Sequence, residues 1–139
     1  MASFAELDAN NVVLRVLKVR NEDVNNLEMP DSEPVGIAYL EANGFTLPAG
    51  HSWKQTSAVG AFRKNYGVVG STYYPDIDAF VRVKPRLFPS WVLNTNKAVW
   101  EAPVPRPSDV NTGNPPKRYM WDEPTLSWVE VPNNTASAT

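Results

Sequence analysis

Ten of the thirteen prolines in this 139-residue chain follow residue 70, and three precede it. Proline fixes φ near −65° and has no N–H to give to a ladder, so a proline-dense stretch cannot build helices or central strands. What remains for the second half is short hairpins, edge strands and extended connectors. The first half is free to build an ordinary core. Charge divides the chain as well: residues 1–50 carry a net of −5, and residues 51–139 a net of +3. Such a chain can associate head to tail with its own copies or lie along a larger surface. The overall charge of −2 argues against a nucleic-acid binder that works by excess cations.

Other classes fall away on simple grounds. The longest apolar run, Val35–Leu40, is far shorter than a membrane span needs, so no membrane partner is expected. Glu6 and Asp8 stand where a signal peptide would be basic and then apolar. The absence of cysteine removes disulfides, thiolate metal sites and cysteine nucleophiles, and suits assembly in a reducing cytoplasm.

The N-terminal segment reads as a hairpin over about residues 3–19, with Asp8-Ala9-Asn10-Asn11 as the turn and Val12–Val19 as a β-branched strand with one solvated face. A single helix is expected over about residues 32–43. Asp31 or Ser32 would cap it, Pro34 sits in its first turn, and Asn43-Gly44 stops it. From Trp53 onward the chain reads as strands, with Gly60, Gly67 and Gly70 marking turns. The fold class is therefore mainly β with one short helix, an α+β arrangement divided into residues 1–70, 71–132 and a polar tail, 133–139. That tail, NNTASAT, has no core of its own and is expected to be disordered.

Three stretches of the second half align on an aromatic residue. Tyr73, Leu93 and Trp121 stand seven positions before Phe80, Trp100 and Trp128, across the polar turns PDID, NTNK and DEPT. Each stretch ends at a proline: Pro85, Pro103 or Pro132. This is the pattern of a hairpin with a cross-strand aromatic pair, repeated on proline-rich connectors. Two-stranded hairpins are marginal alone, so Trp91, Trp100, Trp121 and Trp128 must pack on the N-terminal sheet or on another protein. Trp100 and Trp128 are expected on the packed faces.

No catalytic or metal site is expected. His51 has no motif to supply an orienting carboxylate and a nucleophile. Asp76-x-Asp78 and Asp122-Glu123 read as turn residues rather than cation ligands, and no cofactor is implied. The run Arg63-Lys64-Asn65-Tyr66 divides evenly between a surface cluster that docks on an acidic partner and an edge strand kept soluble by charge. On the docking view, alanine at Arg63 and Lys64 leaves the fold intact and weakens attachment in a salt-dependent way.

The strings FRKNYGVVGSTYYPDIDAF, PSWVLNTNKAVWEAPVP and YMWDEPTLSWVEV resemble small virion structural proteins of marine tailed bacteriophages, cyanophages among them. The group's pattern runs WxQTS, RKNYAGxGxTYD, PxPxPSWxL, a tryptophan before APVxYP, and YxWDExxxSWVE. It is matched here by Trp53–Ser57, Arg63–Tyr66, Pro89–Trp91, Trp100–Pro105 and Met120–Glu130. Two departures, Gly67-Val68-Val69-Gly70 for an AGxG string and Arg106 for a tyrosine, touch loop shape. The resemblance implies a non-enzymatic virion protein whose partners are other virion proteins. The leading expectation is a capsid decoration (cement) or accessory head protein on the major capsid lattice. The alternative is a tail, neck or baseplate fibre component whose aromatics face a host glycan.

Overall fold

The computed structural model describes residues 1–132, so the expectation for the tail at 133–139 lies outside the described residues. The fold is mainly β with one α-helix and a set of small antiparallel hairpins, and it opens with a hairpin followed by the helix. Contacts divide it into two compact units. The first is residues 1–83 together with 94–99; the second is residues 84–93 with 100–139.

In the first unit a three-stranded sheet forms from β1 (Ala2–Leu7), β2 (Val13–Val19) and β3 (Ser52–Thr56), in the order β2-β1-β3. β1 is central, and all six of its residues are buried. Alternation along a strand explains how. Ala2 and Phe4 join one cluster with Val19, Val24, Leu40 and Trp53, while Ala5 and Leu7 join another with Val13, Tyr73 and Phe80. Both faces of the sheet are thus covered. The pairing of β1 with β2 slips once, between Glu6 and Leu7, and the bulge leaves Leu14 44% exposed.

The helix, α1 (Ser32–Ala42), covers the Phe4 face. Its buried residues are Ser32, Gly36 and Leu40, four apart and therefore one stripe. Gly36 sets the depth of docking, because a Cβ there would lie 2.0 Å from Phe4 Cζ. The helix ends as expected, with Gly44 at φ +90° and Phe45 N–H donating to the Leu40 carbonyl at 2.9 Å. Its start differs from expectation. Asp31 makes no side-chain cap, and the Ser32 hydroxyl donates instead to Gln55 Oε1 at 2.7 Å in the interior. The preceding turn does the capping: Ser32 N–H and Glu33 N–H donate to the carbonyls of Glu28 and Pro30. With those donors satisfied by backbone, both side chains are released for tertiary contacts.

Three hairpins follow: β4 (Thr72–Tyr74) with β5 (Ala79–Val81), β6 (Val92–Asn94) with β7 (Val99–Glu101), and β8 (Tyr119–Asp122) with β9 (Ser127–Glu130). The aromatic register of the repeat is present where pairing is resolved: Tyr73 lies opposite Phe80, and Trp121 opposite Trp128. All three turns close alike. The residue two before the aromatic, Asp78, Ala98 or Leu126, has φ of +47°, +57° or +51°. The β4–β5 hairpin belongs to the first unit, where Tyr73 and Phe80 fill the second cluster. The segment 57–71, read from sequence as strand-like, forms only an isolated bridge from Lys64 to Phe80. Arg63 and Lys64 have φ of +55° and +66°, which no strand accommodates.

Candidate docking surface

Among the described residues, the second unit has a single residue in its buried class, Trp121 at 7% exposure. Rings stand in for a core. Phe88 and Trp91 stack with centroids 5.0 Å apart, and Trp91 meets both Trp121 and Trp128 at 6.5 Å. Trp121 and Trp128 cross at 5.3 Å, near perpendicular. Such offset and edge-on pairs add about 0.5–1.5 kcal/mol each beyond the area they bury.

Polar groups tie the cluster down. Glu123 accepts from the Trp121 indole N–H at 2.9 Å, the Ser90 hydroxyl at 2.8 Å and the Ser90 N–H at 3.1 Å. Desolvation would raise its carboxyl; the bonds from Trp121 and Ser90 outweigh that and hold it below the ordinary glutamate value. The Trp128 indole N–H donates to the Val104 carbonyl at 2.8 Å, and the Arg106 guanidinium lies 5.1 Å from the Trp128 ring. Asp109 pins the long connector by accepting from the Tyr119 hydroxyl at 2.8 Å and Lys117 Nζ at 3.0 Å.

Of the residues singled out from sequence, Trp91, Trp121 and Trp128 therefore converge. Trp100 has Lys84 Nζ 5.3 Å from its ring. Six large apolar side chains face outward: Leu87, Val92, Val104, Met120, Leu126 and Val129 are 44–80% exposed. Met120 and Val129 are direct cross-strand partners, facing away from Trp121 and Trp128 by strand alternation, and they line a groove of about 230 Å³ with Val131 and Pro132.

Arg63 is not a surface residue. Its side chain is 8% exposed and is the hub of the first unit. Nη1 and Nη2 donate to the two oxygens of Glu33, Nη1 also to the Gln55 carbonyl at 3.0 Å, and Nε to Asp78 at 2.9 Å. The guanidinium lies 5.6 Å from the Tyr73 ring. Burial would raise Glu33, but Arg63 and the Gln55 N–H together hold its carboxyl below the usual range. The Tyr73 hydroxyl and Arg63 do the same for Asp78, and burial with the Asp78 charge pushes the Tyr73 phenol up to about 12. The docking-cluster expectation is thus corrected at Arg63, whose mostly buried side chain makes three part-buried hydrogen bonds to Glu33 and Gln55 and a fourth, exposed one to Asp78. Lys64 is exposed, and Tyr66 is half-buried with Lys18 Nζ 5.3 Å from its ring. Asn65 closes the segment by donating to the carbonyls of Phe80 and Ala98, 2.8 Å each.

Sequence reasoning missed Glu33, Gln55 and Asp78 as partners of Arg63, since they lie 30, 8 and 15 residues away with no spacing to link them. It also gave His51 no orienting carboxylate. The fold supplies one: Glu6 Oε2 is 2.8 Å from His51 Nδ1, and Oε1 accepts from Arg15 Nε at 2.6 Å. Phe88 was not singled out from sequence, and Glu123 was read there as a turn residue rather than as the acceptor that ties the rings down. No protein-family model, no curated protein and no solved structure matches this chain.

Proposed function

We propose that this chain is a non-enzymatic structural protein of a tailed-phage particle, an accessory head protein that attaches to the major capsid lattice through its second unit. One observation carries the reading: among the described residues, that unit buries one residue while presenting six large apolar side chains. Two-stranded hairpins of this size need further apolar cover to be stable, and a lattice of repeated subunits offers it at many equivalent places. The described part of the second unit holds five acidic and five basic side chains, which favours attachment by apolar contact over attachment by net charge. The string resemblance to marine phage virion proteins supports the same reading.

The experiment is quantitative mass spectrometry of purified particles with crosslinking. A copy number that is a simple fraction of the major capsid protein, with crosslinks from Lys84 or Lys117 to it, is expected. A few copies crosslinked to tail or neck proteins would overturn the head assignment, and absence from washed particles would overturn the virion assignment.

A further inference from the structure

A cleft of about 650 Å³ opens in the first unit between the last turns of α1 and the segment that leads into β3. Its volume falls in the range of small-ligand sites, about 300–1,000 Å³. Apolar contact comes from Ile37, Leu47, Pro48 and Trp53. Polar contact comes from Glu41 and His51, with the hydroxyl side chains of Thr46 and Ser52 beside them.

Two of these groups are prepared for a ligand. His51 is fixed by the bond between its Nδ1 and Glu6, which is itself held by Arg15. That bond orients the imidazole and leaves Nε2 to serve something else. Glu41, at the end of α1, makes no ion pair among the described residues. A third group lacks a partner altogether: Trp53 is 4% exposed and its indole N–H finds no acceptor. A buried donor without a partner costs about 1–3 kcal/mol, so such groups call for an explanation.

The chemistry of the lining selects the ligand class. No lysine or arginine lines the cleft, and an unpaired carboxylate does, which disfavours phosphates and acidic sugars. A carboxylate beside an imidazole and two hydroxyls suits a partner rich in hydroxyl donors and acceptors. Apolar contact from Leu47 and Pro48, with the edge of the buried Trp53 behind them, suits the C–H face of a ring. We propose that this cleft binds a neutral saccharide of one to three rings. This site lies wholly within the first unit, whereas Trp91, Trp121 and Trp128 of the second unit are engaged with one another.

The test is two-dimensional amide NMR of the full chain titrated with maltose, lactose, cellobiose and N,N′-diacetylchitobiose, with sialyllactose as the acidic counterpart. Expected are saturable shifts of the Trp53 indole and of the amides of residues 46–53 with at least one neutral sugar, and none with sialyllactose beyond those of lactose itself. His51→Ala and Glu41→Gln should each weaken that binding by about tenfold. Glu41 is exposed on the helix, so its variant keeps the fold even where His51→Ala does not, and decides the matter alone. Absence of saturable shifts with every sugar overturns the proposal. So do shifts centred on Trp91 or Trp128, or undiminished binding by Glu41→Gln. None of these outcomes bears on copy number in the particle, so this reading and the virion reading stand or fall separately.

Discussion

The two units solve the problem of stability differently. The first has two apolar clusters, one on each face of a sheet, and it draws three charges inward: Arg63, Glu33 and Glu6 spend their hydrogen bonds inside it. The second leaves six large apolar side chains outside and holds together through four rings, one bridging carboxylate and stiff proline turns. Burial contributes roughly 1.5–3 kcal/mol per fully buried large apolar side chain, and the first unit has many such residues. The second must gain part of its order elsewhere. The contrast teaches that one chain can pair a unit with a core on both faces of a sheet and a unit held mainly by rings and a bridging carboxylate.

The strongest way to break this comparison is Arg63→Ala. If the interior network holds the first unit, leaving Glu33 buried without its partner should cost about 3–5 kcal/mol, read as a loss of urea midpoint. An unchanged midpoint with weaker, salt-dependent attachment would restore the surface reading of Arg63. Next is Trp121→Ala, which removes the one buried ring of the second unit. Truncation of a packed tryptophan costs roughly 3–5 kcal/mol, and here the loss should be local. Near-ultraviolet circular dichroism from the ring cluster should collapse while amide signals of residues 2–56 stay in place. Simultaneous melting of both would show that the units are not separate in stability.

Acid sharpens the contrast further. Glu33 and Asp78 have folded-state values below those of the unfolded chain, so their contribution is complete above the unfolded value and is lost as pH falls through the folded one. The first unit should lose stability on acidification from about pH 5 to pH 2. The double variant Glu33→Leu, Arg63→Met should flatten that dependence. Smallest is Leu126→Gly. Leu126 is half exposed with φ of +51°, a conformation that costs a leucine about 1 kcal/mol or more and glycine nothing. The variant should raise the midpoint of the second unit by about 0.5–1 kcal/mol, and destabilisation would show that the leucine side chain is itself packed.

What could be read from the residues follows a physical line. The hairpin at residues 2–19, the helix with its Asn43-Gly44 stop and the three aromatic turns were legible because each is a local pattern with its own period. The pairings of Tyr73 with Phe80 and Trp121 with Trp128 follow from a seven-residue offset. Long-range choices were not legible. Ser32 and Glu33 carry the signature of a helix start, yet the turn before them supplies the cap and both side chains turn inward. The sequence RKNY looks like a charged surface because nothing near it in the chain declares Glu33 or Asp78. Its two positive φ values, which carry Arg63 into the interior, have no glycine or asparagine to announce them.

The meeting of Glu33 and Arg63 at β3 has one more consequence. β3 is an outer strand, and at Gln55 its outward N–H donates to Glu33 at 2.7 Å while its outward carbonyl accepts from Arg63 at 3.0 Å. A carboxylate and a guanidinium thus occupy the two positions that a fourth strand would use. An open strand edge is a template for any other extended chain, and proteins held at high local density must blunt it. Here the sheet is terminated by a salt bridge, so copies crowded side by side are denied that edge as a route to fibrous aggregation.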